Sequence, residues 1–363
     1  MSGTSADAID AALVDFSSNR SKIVSTYSQS IPENIKTAVH ALAISGHNEI
    51  KLMRELDRDI ARYSCNAIEQ ICQHANIRPQ DIEGIGSHGQ TIRHYPPQTG
   101  EVGYSLQVGD PNIIAHTTGI TTVADFRRRD IAAGGHGAPL APAFHNYVFR
   151  SQNTDRIIVN LGGIANITVL NQHPVIGYDT GPANGLMDSW CQKHLEQPYD
   201  AQGQWAASGQ VQQALLAQLL QHPFFGQAPP KSTGREDFNL PWLEEQLRQY
   251  GRAISTEDVQ ATLLQLTVES LSQAIEHQDA HSCAEIYVCG GGAYNTALLN
   301  QLAERLSPRL VNTTAMLSVD PDWVEAVAFA WLAKQTLAYA AGNLPSVTGA
   351  TCEVILGGIY PGS

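Results

Sequence analysis

The chain has 363 residues, 43% of them hydrophobic and 16% charged, a length and balance that predict two domains, each with a core of its own. The formal net charge of -13 repels phosphate backbones and anionic membrane surfaces, and the only basic run is Arg127-Arg128-Arg129, so no nucleic-acid or membrane partner is expected. Six cysteines without a CxxC pair read as reduced thiols. With no bilayer-length apolar run and no signal-peptide pattern, a cytoplasmic protein is expected.

In chain order, Asp10 to Phe16 alternates as a strand that Ile23 to Tyr27 can pair with. Leu52, Leu56, Ile60, Tyr63, Ala67 and Ile71 form one face of a helix from Glu49 to His74. A strand from Ile82 to Gly86 delivers the polar loop Ser87-His88-Gly89-Gln90-Thr91, a position where open α/β sheets bind ligands. Arg156 to Leu161 and Ile164 to Leu170 flank Gly162-Gly163 as a hairpin. Val175 to Asp179 reads as a strand that breaks at Thr180-Gly181, with a helix opening at Pro182, which puts Asp179 at a strand end facing a helix N-terminus. Glu257 to Gln278 is a helix, and Glu285 to Cys289 a strand entering Gly290-Gly291-Gly292 before a helix from about Asn295. Val324 to Ala341 is predicted as a helix closed by Gly342.

The chemistry concentrates in three glycine turns. Gly3 permits close phosphate approach, Thr4 and Ser5 offer hydroxyls, and Asp7 can hold water on a magnesium ion. Asn160-Leu161-Gly162-Gly163 and Gly290-Gly291-Gly292 repeat the device. Read singly, each has a structural explanation too: a loop, a Gly-Gly hairpin, close strand-to-helix packing. Neither GxxxxGK[ST] nor an early GxGxxG occurs, which disfavours P-loop and dinucleotide enzymes. Asp179 suits a general base or a helix cap. Arg127 suits bidentate carboxylate recognition, phosphate binding or a solvated surface, and Glu325 a ligand contact or a complement to its helix dipole. His88, His136 and His145 have no metal-ligand spacing and receive no catalytic role.

Taken together, Met1-Ser2-Gly3-Thr4-Ser5 with Asp7 and Asp10, Ser87 to Thr91, Asp125-Phe126-Arg127, Gly134-Gly135 through Gly137-Ala138-Pro139, Asn160 to Asn166, Asp179-Thr180-Gly181-Pro182, Lys231 to Glu236, Gly290 to Gly292 and Leu356 to Tyr360 resemble the anhydro-N-acetylmuramic acid kinase family over nearly the whole chain. The resemblance implies an α/β, two-lobed actin-like (ribonuclease H-like) ATPase fold with an interdomain cleft that closes on substrate. The implied activity is transfer of phosphate from ATP, with Mg2+, to O6 of 1,6-anhydro-N-acetylmuramic acid, with hydrolysis of the anhydro ring, in peptidoglycan recycling. It further implies Asp179 as catalytic base, sugar contacts from Thr91, Arg127 and Glu325, and a homodimer. For ATP it implies Gly3, Thr4, Ser5, Ala6, Asp7, Ala8, Asp10, Asn160, Gly162, Gly163, Gly290, Gly291, Gly292 and Asn295. No metal ligand is assigned.

The lobes are expected at 1–125 with 343–363, and at 126–342. Family members carry a strand ahead of the Met-Ser-Gly-Thr-Ser motif, so the first phosphate hairpin is expected to lack one arm. Ala6 and Ala8 replace the usual methionine and glycine, and an alanine at positive φ costs roughly 1 kcal/mol. Weakened ATP binding is the expected consequence. A non-catalytic nucleotide-binding relative and a kinase of an unbridged hexose are the alternatives.

Overall fold

A computed structural model describes residues 1–363 apart from 4–5, 18–20, 98–102, 235 and 282. Its strands are β1 (Ala8–Asp15), β2 (Lys22–Ser30), β3 (Ile85–Ser87), β4 (Gln90–Tyr95), β5 (Tyr104–Val108), β6 (Thr122–Ala124), β7 (Arg156–Leu161), β8 (Ile164–Val169), β9 (Ile176–Pro182), β10 (Glu285–Cys289), β11 (Val311–Thr313) and β12 (Gly358–Tyr360). The helices used below are α1 (Glu33–Ala43), α2 (Glu49–Ala75), α3 (Asn184–Leu195), α4 (Thr256–Gln278), α5 (Thr296–Arg305) and α6 (Val324–Leu337). Among the described residues no helix is long and apolar enough to cross a membrane.

The chain forms two compact units, Met1–Val148 with Trp323–Ser363, and Phe149–Asp322. These boundaries differ from the expected 125/126 and 342/343. The physical reason is packing: α6 lies against β1, β3 and β6, which commits it to the first unit.

In the second unit one sheet has the order β11-β10-β7-β8-β9. β7, β8 and β9 form an antiparallel meander, while β10 is parallel to β7 and β11 parallel to β10. Numbered within the unit this is 3-2-1-4-5, the order of the expected ribonuclease H-like core. Both faces of the central strand are covered. Ile157, Val159 and Leu161 join the core that α4 supplies with Leu263, Leu264 and Leu271, and Ile158, on the other face, is equally buried. A strand buried on both sides reads as a continuous aliphatic run, which Ile157-Ile158-Val159 is.

The first unit carries β1 paired antiparallel with β2, the three-stranded β12-β6-β3, and the hairpin β4-β5. β3 is parallel to β6. Its core gathers Ile9, Ile31, Ile35, Val39, Leu56 and Ile60 beneath β1, α1 and α2. β3 comes so close to α6 that a Cβ on Gly86 would lie 2.0 Å from Phe329 O.

Two predicted elements differ. β9 does not break at Thr180: Thr180 bulges between the pairs Asn166↔Asp179 and Ala165↔Gly181, and pairing resumes through Ile164↔Pro182. Asp179 therefore sits within a strand, and the helix that follows starts at Asn184 rather than Pro182. α6 ends at Leu337, and the left-handed residue beyond it is Tyr339, φ 55°, rather than Gly342, whose N–H bonds to Val354 O.

Candidate active site

Parallel strands β7 and β10 deliver two glycine turns to the same end of the second unit's sheet. The Gly162-Gly163 turn is tied to the start of α3: Ala183 and Gly185 donate to Gly163 O, Asn184 N–H to Gly162 O, and Asn184 Nδ2 to Leu161 O at 2.9 Å. Its other side is bare, since a Cβ on Gly162 would meet nothing nearer than Ile164 O at 3.6 Å. β10 runs into Gly290, φ 80°, where a Cβ would lie 2.5 Å from Asn160 Oδ1, so the turns abut and glycine is required. Around a Cβ on Gly291 there is nothing within 4 Å. Asn295 caps α5 by accepting from Leu298 N–H at 3.0 Å. Asn160, Gly162, Gly163, Gly290, Gly291, Gly292 and Asn295 thus share one strand-end surface, open where main chain would meet an anion. Tyr294 lies half exposed beside it, its hydroxyl bonded to Asp320 Oδ1 at 3.1 Å.

Asp179, on β9 of the same sheet, is half-buried. Its Oδ2 accepts from Ser232 Oγ at 2.8 Å and Thr233 N–H at 3.1 Å, while its own N–H donates to Lys231 O. The Lys231–Glu236 segment, which carried no assigned role in the sequence, is the clamp on this carboxylate. Lys231 anchors the clamp, with Nζ donating to Phe224 O and Phe225 O and lying over the Phe224 ring. Burial raises the Asp179 pKa above its usual range, the Thr233 and Ser232 bonds lower it, and Glu236 adds to the rise. Arg235 lies outside the described residues.

In the first unit, Thr4 and Ser5 also lie outside the described residues. Ala6, buried, takes φ 54° and donates to Gly3 O, whereas Ala8 is ordinary strand in β1, so only one of the two alanines bears positive φ. Nothing lies within 4 Å of a Cβ on Gly3. Asp7 pairs with Lys36, and Asp10 Oδ1 accepts from Ser28 Oγ at 2.7 Å. Among the described residues no group of three His, Cys, Asp or Glu side chains is placed to hold a metal ion.

Arg127 donates through Nε and Nη2 to His88 Nε2, at 3.3 and 2.8 Å, and through Nη1 to Gly137 O at 2.9 Å. His88 completes the orientation with its Nδ1–H on Gly89 O at 2.9 Å, the tautomer that leaves Nε2 as acceptor. Burial, then the charge of Arg127, push the His88 pKa well down, so it stays neutral. Burial lowers the Arg127 pKa to about 10, against Glu325 and Asp130. Gly137 is itself fixed by buried Asp130, which accepts from Gly137 N–H, Asn343 Nδ2 and Thr348 Oγ1. Burial raises the Glu325 carboxyl while Arg127 lowers it, so these two feel one another. Thr91, on β4, has its Oγ1 bonded to Gln107 Nε2 at 3.1 Å. The signal for His88 was present in the Ser87–Thr91 loop after β3; its role as the arginine's support needed the fold.

The sequence model of the family described as anhydro-N-acetylmuramic acid kinase matches residues 1–362. The chain is 49% identical over 362 residues to an anhydro-N-acetylmuramic acid kinase from Shewanella sp. (strain ANA-3), covering 99% of this chain and 97% of that one. It is 50% identical over 365 residues to one from Coxiella burnetii (strain Dugway 5J108-111), covering 100% and 96%. Among solved structures, component A of the Acidaminococcus fermentans (R)-2-hydroxyglutaryl-CoA dehydratase matches with a TM-score of 0.38 at 13% identity, over 88% of this chain and 95% of that one, too slight a likeness to carry an argument. On the full-length family match and the identity to its members, the chain belongs to the anhydro-N-acetylmuramic acid kinase family.

Proposed function

We propose that this chain transfers the γ-phosphoryl group of ATP to O6 of 1,6-anhydro-N-acetylmuramic acid while water opens the anhydro bridge, giving N-acetylmuramic acid 6-phosphate and ADP in peptidoglycan recycling. The observation that carries this reading is the Asp179 carboxylate, clamped at one oxygen by Ser232 and Thr233 and mounted on the sheet that bears both open glycine turns. In it, Gly162-Gly163 and Gly290-Gly292 with Asn295 hold the nucleotide, and Gly3 to Asp10 contribute phosphate contacts from the first unit.

With Oδ2 occupied, Oδ1 of Asp179 is left to take the proton from the water that attacks C1. The raised pKa makes the carboxylate a stronger base than an exposed aspartate. The C1–O6 bond breaks as the C1–OH bond forms. O6 would leave as an alkoxide, and it leaves readily only because phosphorus captures it, with ADP departing. Magnesium bound with ATP would spread the charge of the transferring group, and Asp7 could hold a water on it. Arg127, presented by His88 and Gly137 O, would read the carboxylate of the sugar's lactyl group, with Thr91 and Glu325 as further sugar contacts. The family reading also implies a homodimer in the cytoplasm, which sedimentation of the purified chain tests for the assembly.

The deciding experiment incubates the protein with Mg-ATP and the anhydro sugar in oxygen-18 water and follows ADP and product mass. Label at C1 together with phosphate on O6 is the expected result. ATP-dependent product without the label, or preferred turnover of an unbridged hexose, overturns the hydrolytic step; no ADP above background overturns the activity.

A further inference from the structure

Thr91 stands on the β4-β5 hairpin, where the residues around its hydroxyl form a row of polar groups on one face. Thr91 pairs directly with Gln107, and His94 with Ser105. Strand alternation alone would not assemble this row. Gln107 and Ser105 are two positions apart and share a face, but Thr91 and His94 are three apart and in a regular strand point to opposite sides. The register shifts between Thr91 and Arg93, so Ile92, which is buried, is the extra residue. That bulge turns His94 to the side of Thr91. The same face is the one that feels the Arg127 loop, since the charges of Arg127 and His136 both act on His94.

The four groups are bonded in sequence. Gln107 Nε2 donates to Thr91 Oγ1 at 3.1 Å and to Ser105 Oγ at 2.7 Å, and Ser105 Oγ lies 3.0 Å from His94 Nδ1. The amide nitrogen carries two protons, one for each hydroxyl, so both oxygens accept. Ser105 is 1% exposed, and the partner given to its own proton is His94 Nδ1. That bond needs a neutral ring with its proton on Nε2. The ring is neutral: burial, then Arg127 and His136, lower the His94 pKa to about 4. Thr91 Oγ1 makes no other bond among the described residues, so its own O–H is left to donate. The row is directional as a unit. Turning the Gln107 amide over would put Oε1 on both hydroxyls, make Ser105 and Thr91 donate to it, and require the proton on His94 Nδ1.

We propose that Gln107 is a positioning residue that commits the Thr91 hydroxyl to donate, so that Thr91 selects an oxygen of the sugar that can only accept. This rests on the reading of Thr91 as a sugar contact. The strong acceptor-only oxygens of that sugar are its acetamido carbonyl and its lactyl carboxylate. A hydroxyl free to rotate would serve a donor or an acceptor alike. Held as a donor, Thr91 fits a carbonyl or carboxylate and meets a free amino group, which offers only protons, with a proton of its own. A polar site rejects a near relative of its substrate in this way, by leaving a group on each side unpaired. Thr91, Gln107, Ser105 and His94 all belong to the first unit, so the device is complete within it.

The test reads polarity first and recognition second. Ring-nitrogen NMR of the full chain without substrate is expected to show His94 as the neutral tautomer protonated at Nε2; the Nδ1–H tautomer overturns the proposal. Gln107→Glu keeps the shape but replaces both amide donors by a group that only accepts, which reverses Thr91. KM for the anhydro sugar should then rise about 10- to 100-fold, with kcat within about twofold and the calorimetric Kd for ATP unmoved. In a Thr91→Val background Gln107→Glu should add nothing, whereas with Thr91→Ser, which keeps the hydroxyl, its full effect should return. An unchanged KM, or additive losses in the double variant, overturns the proposal. If Gln107→Glu does not fold, the same cycle is run with Gln107→Met, which frees Thr91 without reversing it and should raise KM a few-fold. Two analogues then identify the oxygen. Loss of the Gln107→Glu effect on the sugar with a free amino group assigns the acetamido carbonyl, its loss on the sugar without the lactyl group assigns the carboxylate, and its persistence on both overturns the selection of an acceptor. Absence of turnover by the unaltered chain counts against the catalytic reading alone, and the His94 tautomer with calorimetric binding of the sugar to the same variants then decides the proposal.

Discussion

Ile158 of β7 and Ala12 of β1 sit in corresponding sheets, yet one is wholly buried and the other half-open. In the second unit the central strand is clamped by β8 and β10, its side chains fill both faces, and the glycine turn at its end is fixed by four bonds from the start of α3. In the first unit β1 pairs with β2 along one edge, and the Met1 and Asp10 main chains bond to one another near its start. A turn is only as rigid as the strands that carry it, so the geometry of the Gly162-Gly163 turn should be firmly held.

The comparison can be broken in several places. The largest effect is expected at the clamped carboxylate: Asp179→Asn should lower kcat by about 10²–10⁴-fold while ATP affinity, measured by calorimetry, stays near wild type. Retained turnover would remove Asp179 from the base role. Next in size is a contrast in packing. Ile158→Ala in filled β7 should cost about 2–5 kcal/mol in chemical denaturation, and Leu13→Ala on half-open β1 about 1 kcal/mol. Equal losses would mean that the two strands are equally packed.

A smaller effect is expected from the positioning hydroxyl. Ser232→Ala removes a hydrogen bond to the charged form of Asp179, so the acid limb of the kcat profile should move up by roughly one pH unit, with Ser232→Thr restoring it. A uniform drop in kcat with an unmoved limb would mark Ser232 as structural only. The smallest concerns the Met1 amine. Its folded pKa, about 6, lies below its ordinary 8.0, so between those values the unfolded chain binds the proton more readily and stability falls as pH drops from 8 to 6. Acetylating the amine should remove that increment. The quantity to compare is the difference between acetylated and free chains; no difference would mean that the amine is well solvated.

Much of this molecule was legible as local pattern. The aliphatic run of β7, the Gly-Gly turn and the long face of α2 each declare themselves within a dozen residues, because strand and helix periodicity and turn chemistry are short-range. The break at Thr180 was misread for the same reason. Thr-Gly-Pro is a strong local stop signal, but pairing with β8 carries β9 through it by a one-residue bulge, and no local rule contains that partner.

By itself the sequence determined the family, the α/β class, the glycine turns and the candidate base, since each rests on residues whose types and spacing carry the information. Tertiary structure decided what those groups touch. Ser232 reaches Asp179 across 53 residues and Arg127 finds His88 across 39, distances over which the chain has no local preference. It also decided that β1 and β3 line one cavity. A cavity leaves no mark in either strand's own residues and exists only when both are brought side by side.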